Sequence, residues 1–314
     1  MNRMQSLVKY AGTDTPTVAE AMKENGLDFD VVTRAMIDPF TLQQSEFWGV
    51  FGVDSDDKTR QFTTCKENYQ PINNSDLFSG ITPFVESGDM KIRNAGYMKD
   101  GARSFLLTEL MNAPTNRIDG TQEQILPYML TIANHDGNAC KFKATAVNMF
   151  CTNQLGSILR KKIDSTGIDM RICHSGDVTG KLMDVEPYIN QMTGYYSKVK
   201  EAMNILVNTK INHAQLVEMM NIVHPMKDDG KGKTRAERVH GIIAANFVNM
   251  QNSQKEIAGS AWAACNAISE FSTHQVDVKK ANGNDSLRRL DGFWFGQNGT
   301  KMGKVYDYCY SLAA

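Results

Sequence analysis

The sequence predicts an α+β fold, in which an antiparallel β-meander of about four to six strands packs with helices and a mostly helical C-terminal half follows. Between residues 90 and 150, short β-type runs alternate with turn residues at the spacing of hairpins. After residue 184, apolar residues recur three and four positions apart, as on a helix with one buried face. The 314 residues, 41% of them hydrophobic, supply enough apolar material for a sizeable core.

Residues 1–60 are predicted to form an N-terminal adaptor segment. Within it, residues 47–62 (FWGVFGVDSDDKTRQF) predict a strand, a polar turn and a second strand. Beyond this segment, Asn74 or Ser75 is expected to cap a helix that runs to about Val85, because short polar side chains accept hydrogen bonds from the first helical N–H groups.

Residues 61–184 are predicted to form the α+β core domain. Its two hairpins are expected to turn at residues 99–101 (Lys-Asp-Gly) and at residues 135–138 (His-Asp-Gly-Asn). The run at residues 151–163 (CTNQLGSILRKKI) predicts a helix entered from the preceding strand.

Residues 185–314 are predicted to form a helical region packed on the core. A long helix is expected over residues 185–208, and a shorter one is expected to stop before Pro225. Residues 227–238 (KDDGKGKTRAER) predict a charged loop that opens the next helix, and Gly259 predicts a break within the helical pattern that follows.

Net charge and the distribution of apolar residues restrict the expected location and partners of the protein. A net charge of −1 gives no long-range attraction to nucleic acid or to an anionic membrane, so any such binding must come from a local basic patch. The N-terminal residues lack the apolar core of a signal peptide, and no stretch approaches the roughly 18 apolar residues of a spanning helix. We therefore expect a cytoplasmic protein, in the host cytoplasm if a phage encodes it, with no membrane partner.

Metal and cofactor chemistry find no support in the motifs. The six histidines form no HxH, HxxxH or HExxH pattern, and the six cysteines form no CxxC pair. A GKGKT run at residues 230–234 resembles a truncated phosphate-binding loop but follows a charged turn and not a buried strand. The sequence predicts no metal site and no cofactor.

An enzymatic role is not the preferred interpretation, although one arrangement stays open. No GxSxG elbow and no protease-type cysteine motif is present. A hydrolase site would require Asp136, His135, His174 and Cys151 to converge in the fold. For Asp136 alone, the simpler interpretation is a turn residue.

Basic residues beside the predicted strands are the main candidates for a binding surface. They could form a groove that follows a DNA backbone, and a solvated sheet face is the alternative. The predicted DNA-binding residues are Lys91, Arg93, Lys99, Arg103, Lys141, Lys143, Arg160, Lys161 and Arg171. A second basic group surrounds Phe293, Trp294 and Phe295, for which base stacking, an oligomer contact and a core tail remain open. Its members are Lys279, Lys280, Arg288, Arg289, Lys301 and Lys304.

Four segments occur in a fixed order, namely YQPINNSDLF, IANHDGNACKFKATAVNMFCTNQL, MRICHSG and GSAWAACNAISEFSTH. Between about residues 65 and 310, the ordered set resembles the phage/plasmid-like protein family classed as domain of unknown function number 932. The motif residues are Tyr69, Pro71, Asn73, Asn134, His135, Asp136, Gly137, Cys151, Asn153, Arg171, His174, Trp262, Asn266 and Ala267. The resemblance implies a gene of a phage or mobile element and no assigned activity.

The Tyr-x-Pro-x-Asn segment, followed by a helix and a hairpin, also resembles the DNA-annealing recombinases of the Rad/Erf/Red-beta type. That resemblance implies a ring-forming protein that binds single strands along a basic groove beside a sheet. We therefore expect a homo-oligomeric protein that binds and anneals single-stranded DNA without ATP, in recombination or replication. The alternative is a non-enzymatic interaction protein that targets a host defence or replication protein, which the near-zero net charge and eighteen methionines would suit.

Overall fold

A computed structural model gives the fold of this chain, which divides into two compact units. The first unit comprises Met1–Ala113, Pro127–Ala144 and Thr166–Thr193, and the second comprises Pro114–Leu126, Thr145–Ser165 and Gly194–Ala314. The structure describes residues 9–10, 14–113, 116–121, 124–148, 169–183, 185–226, 230–253, 255–276, 285–294 and 296–313. The predicted division into segments 1–60, 61–184 and 185–314 stays a prediction.

A small antiparallel sheet in the first unit consists of β1 (Asp30–Ile37), β2 (Gln44–Val53) and β3 (Thr59–Cys65), in that order. This confirms the strand, turn and strand expected over residues 47–62. One face of the sheet is buried, with Val31 and Val50 packed together, because side chains alternate between the two faces of a strand.

A larger sheet has the strand order β4-β5-β7-β8-β9, with β6 paired to β7. Its strands are β4 (Met90–Met98), β5 (Arg103–Leu110), β6 (Asn116–Arg117), β7 (Gln124–Asn134), β8 (Cys140–Asn148) and β9 (Asp169–Ile172). Both predicted hairpin turns are confirmed. At the first turn Lys99 and Asp100 have φ of 52° and 55°, a conformation that polar residues and glycine adopt more readily than others.

Four short helices complete the first unit, namely α1 (Val18–Glu24), α2 (Asn74–Ser79), α3 (Thr82–Glu86) and α4 (Val178–Met183). The cap predicted at Asn74 or Ser75 was wrong, because Asn73 precedes the first helical residue. Asn74 is buried, and its side-chain Nδ2 donates to the carbonyl oxygen of Leu27. A second helix then starts near Pro83, which suits a first turn and not a helix interior.

The C-terminal half is helical, which confirms the predicted fold class. Its helices are α5 (Val185–Asn208), α6 (His213–Val223), α7 (Gly230–Ser253), α8 (Ala261–Glu270), α9 (Asp285–Trp294) and α10 (Gln297–Leu312). A π-helix, Phe271–Gln275, continues directly from α8. The break predicted at Gly259 is confirmed by a φ of 69° between α7 and α8.

One boundary differs from the prediction, since α7 begins at Gly230 inside the expected loop over residues 227–238. The buried side chains of Ala236, Val239 and Ile243 lie three and four positions apart, so packing continues the helix into the charged run. The helix predicted over residues 151–163 lies outside the described residues. Within the described ranges, no helix combines the length and the apolar character needed to cross a bilayer.

Candidate functional site

Three of the predicted DNA-binding cations belong to the β4–β5 hairpin and lie against carboxylates of the same sheet. Arg93 Nε lies 2.6 Å from Glu109 Oε2, and both side chains are largely buried. Arg103 Nε and Lys99 Nζ lie 2.9 Å and 3.1 Å from Asp136 Oδ2 in the β7–β8 turn. These two carboxylates offset two of the three charges within the fold, so less of that charge is left to attract a DNA backbone. A DNA-binding role for these residues stays a prediction.

A second set of predicted cations lies on the last two strands of the larger sheet. Lys141 on β8 is directly opposite Arg171 on β9, and Arg171 is exposed whereas Lys141 is half-buried. Lys143 is only 7% exposed, so it offers little charge to solvent. Lys91 on β4 is half-buried. Two further predicted residues, Arg160 and Lys161, lie outside the described part of the chain.

Asp136 joins the two hairpin turns of the larger sheet. Its second carboxylate oxygen, Oδ1, accepts a hydrogen bond from Asn138 Nδ2 at 2.8 Å. Burial by itself would raise the pKa of Asp136, but hydrogen bonds from Asn138 and Lys99 and the charge of Arg103 lower that pKa overall. Gly137 follows with a φ of 83°, which a side chain would strain. The ionised Asp136 therefore anchors the turn.

His174 links three parts of the first unit through its ring. Tyr69 stacks on it with ring centroids 4.4 Å apart and an interplanar angle of 16°. His174 Nδ1 lies 3.0 Å from the carbonyl oxygen of Gln70, and Nε2 lies 2.8 Å from that of Asn134. Both ring nitrogens therefore lie within hydrogen-bonding distance of backbone carbonyl oxygens. The ring thus ties the end of β7 to the segment ahead of α2.

His135, which follows Asn134 in the chain, is fully buried and makes different contacts from those of His174. Its Nε2 lies 3.0 Å from Asn74 Oδ1, and its ring stacks on Phe62 with centroids 5.6 Å apart. Phe29 meets the same ring edge-on at 6.0 Å. Burial, followed by the nearby charge of His174, lowers the pKa of His135 to about 3. His135 is therefore neutral at physiological pH.

Three buried polar atoms in this region, namely the Tyr69 hydroxyl, Asn134 Oδ1 and His135 Nδ1, have no hydrogen-bond partner among the described residues. Buried polar atoms of this kind are commonly satisfied by ordered water. Cys140 Sγ lies 3.8 Å from His174 Nε2, and burial raises the pKa of this thiol to about 12. The neutral, buried thiol is a poor nucleophile, so the arrangement positions polar groups without activating one for attack.

The family-motif residues that the structure describes are distributed over both units. Asn73 Oδ1 accepts a hydrogen bond from the Val31 amide at 2.7 Å, which ties the segment before α2 to β1. Trp262 and Asn266 are buried within α8 of the second unit. The fold brings together Tyr69, Asn134, His135, Asp136, Gly137 and His174 around the β7–β8 turn of the first unit. Cys151 and Asn153 lie outside the described residues, so the hydrolase arrangement that needs Cys151 stays a hypothesis.

The outer face of the small sheet carries a feature that sequence reasoning missed. Gly49 and Phe51 are two positions apart on β2 and therefore share one face, and Arg34 on β1 lies directly opposite Gly49. The Phe51 ring lies over Gly49, since a Cβ at Gly49 would clash with Phe51 Cε2. The Arg34 guanidinium carbon lies 5.6 Å from the centroid of that ring. Aromatic residues spaced two apart around a glycine were the available signal.

The β1–β2 turn forms an apolar tip, defined by Ile37, Phe40 and Leu42. These side chains are 63%, 94% and 78% exposed. The tip is ordered because Asp38 Oδ1 accepts hydrogen bonds from the amides of Phe40 and Thr41 at 2.8 Å and 3.2 Å. The apolar side chains are therefore held outward by a tight local turn.

The second unit decides between the alternatives left open for the aromatic residues of α9. Phe293 and Trp294 are 3% and 6% exposed at the end of α9, so they belong to the core of the helical unit. Aromatic side chains bury a large apolar area, and α9 packs on α10, which provides the contact. Phe295 lies outside the described residues.

Comparison with known proteins gives one match. The chain matches the family described as Domain of unknown function (DUF932) over residues 61–294. The match begins within β3, so β1 and nearly all of the outer face of the small sheet precede it. No curated protein and no solved structure matches the chain.

Proposed function

Because this chain belongs to the DUF932 family, whose function is unknown, we propose a function from the geometry of its own residues. The protein binds single-stranded DNA without ATP and anneals strands during the recombination or replication of a phage or mobile element. The observation that carries this proposal is the Phe51 ring, which lies over Gly49 beside the guanidinium of Arg34 on an outer sheet face.

The chemistry of this outer face suits unpaired bases. Aromatic side chains on exposed strands stack with bases whatever their sequence, and each stack contributes about 1–3 kcal/mol. Phe47, four positions before Phe51 on β2, is 44% exposed and offers a second ring to the DNA strand. Arg34 supplies a positive charge and a planar group that can itself stack on a base.

Contacts to the DNA backbone need cations that solvent can reach. Arg34 is exposed on β1, and Arg171 is exposed on β9 opposite Lys141. We assign the backbone contacts to these three residues. The ion-paired Arg93 and Arg103 contribute less, because their charges are balanced by carboxylates within the sheet. The net charge of −1 makes this local placement decisive.

Fluorescence anisotropy with a labelled single strand of about 30 nucleotides, titrated at low and high salt, tests the proposal. We expect salt-dependent binding by the wild-type chain, with log affinity falling at a slope near −0.7 for each phosphate neutralised. Phe51→Leu keeps an apolar side chain but removes the ring, and we expect roughly tenfold weaker binding from the lost stack.

Phe51→Tyr is the matched control, because it keeps the ring and should bind as tightly as the wild type. A wild-type chain that does not bind at low salt would contradict the function itself. Equal affinities for Phe51→Leu and Phe51→Tyr would support DNA binding but contradict the role of the outer sheet face in it. An annealing assay with complementary strands then separates annealing from simple binding.

The apolar tip of the β1–β2 turn favours a second candidate function, which is contact with another protein. Its exposed Phe40 and Leu42 form the kind of surface that marks protein–protein contacts. We assign the tip to contact with a second copy of this chain, which would make the protein a homo-oligomer. Phe40→Ser with Leu42→Ser should lower the molar mass found by light scattering, whereas an unchanged mass would leave a host protein as the partner to seek.

A further inference from the structure

The helical unit contains a small cleft between the end of α6, the first turns of α7, the π-helix Phe271–Gln275 and the start of α10. Its volume is about 150 Å³. Three cationic side chains line it, those of Arg235, Arg238 and Lys301, and no Asp or Glu is among the described residues that do so. The described lining of the cleft therefore contains cations but no carboxylate.

Two of these cations are available to a ligand. Arg235 on α7 and Lys301 on α10 form no ion pair or hydrogen bond with any residue that the structure describes. They belong to different helices and line the same cleft. An arginine fork and a lysine ammonium on separate helices can contact different oxygens of one phosphate.

The remainder of the cleft combines apolar and polar side chains, and it includes an apolar wall that is held in place. Val239 and Phe271 are buried beneath it, and Ile242 is half-buried at its edge. The π-helix is fixed to α7 by a reciprocal amide pair, in which Asn246 and Gln275 exchange hydrogen bonds of 2.9 Å and 3.2 Å. π-helical turns are frequent at functional sites, because they redirect side chains within a helix. The apolar surface is thus ready to receive a ligand without rearrangement.

We propose that this cleft binds a small organic phosphate. The phosphate group lies between Arg235 and Lys301, and a short apolar body lies against Phe271 and Ile242. A dianionic phosphate balances the cationic lining better than a carboxylate with one charge. The volume is well below the roughly 300 Å³ of sites for drug-sized ligands, so the body has only a few carbon atoms. This inference does not rest on the proposed DNA binding.

Isothermal titration calorimetry of the full chain with propyl phosphate, inorganic phosphate and butyrate tests the site. We expect propyl phosphate to bind most tightly, inorganic phosphate to bind more weakly because it lacks the apolar body, and butyrate to bind at least about tenfold more weakly than propyl phosphate. No binding of propyl phosphate, or equal binding of butyrate, would overturn the proposal.

Variants separate the cleft from general surface charge. Arg235→Gln and Lys301→Gln should each weaken propyl phosphate binding about tenfold, the usual cost of losing a charged hydrogen bond. Lys304→Gln, exposed on the same helix as Lys301 but outside the cleft lining, is the matched control. Ile242→Trp fills the cleft and should abolish binding while the melting temperature of the unbound chain stays close to that of the wild type. Wild-type affinity in both Arg235→Gln and Lys301→Gln would contradict the assignment.

Discussion

The two sheets of the first unit use arginine in opposite ways. On β4, Arg93 is largely buried and lies 2.6 Å from Glu109, and on β5, Arg103 lies 2.9 Å from Asp136. On β1, Arg34 is exposed and lies over the ring of Phe51. The first arrangement holds strands and turns together, whereas the second leaves an exposed cation beside a half-buried aromatic ring.

The difference lies in what each cation faces across the strands. Arg93 and Arg103 belong to a sheet whose neighbouring strand and turn place a carboxylate within reach. Arg34 is opposite a glycine, so the adjacent space on the face is taken by an aromatic ring. A residue type therefore predicts a binding role only after its cross-strand neighbour is known. The following predictions test this contrast.

The largest effect is expected from the carboxylate that supports the hairpin cations. Asp136→Ala removes the partner of the poorly exposed Arg103, and we expect a loss of about 3 kcal/mol in the free energy of unfolding, because an uncompensated charge stays buried. Asp56→Ala removes an ion pair between two exposed side chains, Asp56 and Lys58, and should leave stability unchanged. Urea denaturation measures the free energy of unfolding of both variants. Equal values for Asp136→Ala and Asp56→Ala would contradict this prediction.

A smaller effect on the free energy of unfolding is expected from a change in pH, and it arises from the buried His135. The pKa of His135 is about 3 in the folded chain and near 6.5 in the unfolded chain. The unfolded state therefore binds more protons as pH falls below about 6.5, so stability falls with pH over this window. Between pH 7.5 and 5 this group should account for about 2 kcal/mol of the free energy of unfolding.

His135→Gln removes this titration, so its stability should fall less steeply with acid than that of the wild type. Urea denaturation at several pH values checks it, and His213→Gln, at an exposed position, is the matched control for introducing glutamine. Parallel pH profiles for His135→Gln and the wild type would show that His135 is not buried as described.

The smallest expected effect is on the salt dependence of DNA binding, and the arginines themselves give the sharpest test of the contrast. Arg34→Gln should leave stability unchanged and reduce the salt slope of DNA binding by about 0.7, the loss of one phosphate contact. Arg93→Gln should do the reverse, lowering stability because Glu109 is left buried without its partner, while the salt slope stays the same. Anisotropy titrations measure the salt slope of both variants, and urea denaturation measures their stability. If Arg93→Gln also changed the slope, the paired cations would belong to the DNA interface.

Elements set by local chemistry could be predicted from the sequence. The turns at residues 99–101 and 135–138 follow from turn residues between β-type runs, and α5 follows from its apolar period. The cap before α2 was missed by one residue because the Asn74 side chain hydrogen-bonds to Leu27, 47 positions away along the chain. The start of α7 was missed because packing of Val239 and Ile243 outweighed its charged composition.

The candidate sites were harder to predict than the elements. The motif residues Tyr69, Asn134, His135 and His174 could be selected from their order, but their proximity depends on chain segments at least 40 residues apart. The outer face of the small sheet depends on the register between β1 and β2, which places Arg34 opposite Gly49. No pattern within either strand contains that register.

The sequence by itself determined the α+β class, the hairpin turns and the periods of the long helices, because propensity and periodicity act over a few neighbouring residues. Only the tertiary structure decided which cations are neutralised, that Phe293 and Trp294 are buried, and that Arg235 and Lys301 line one cleft. Charge pairing, burial and cleft formation depend on distances between residues that are far apart in the chain. Those distances are fixed when the sheets and helices pack.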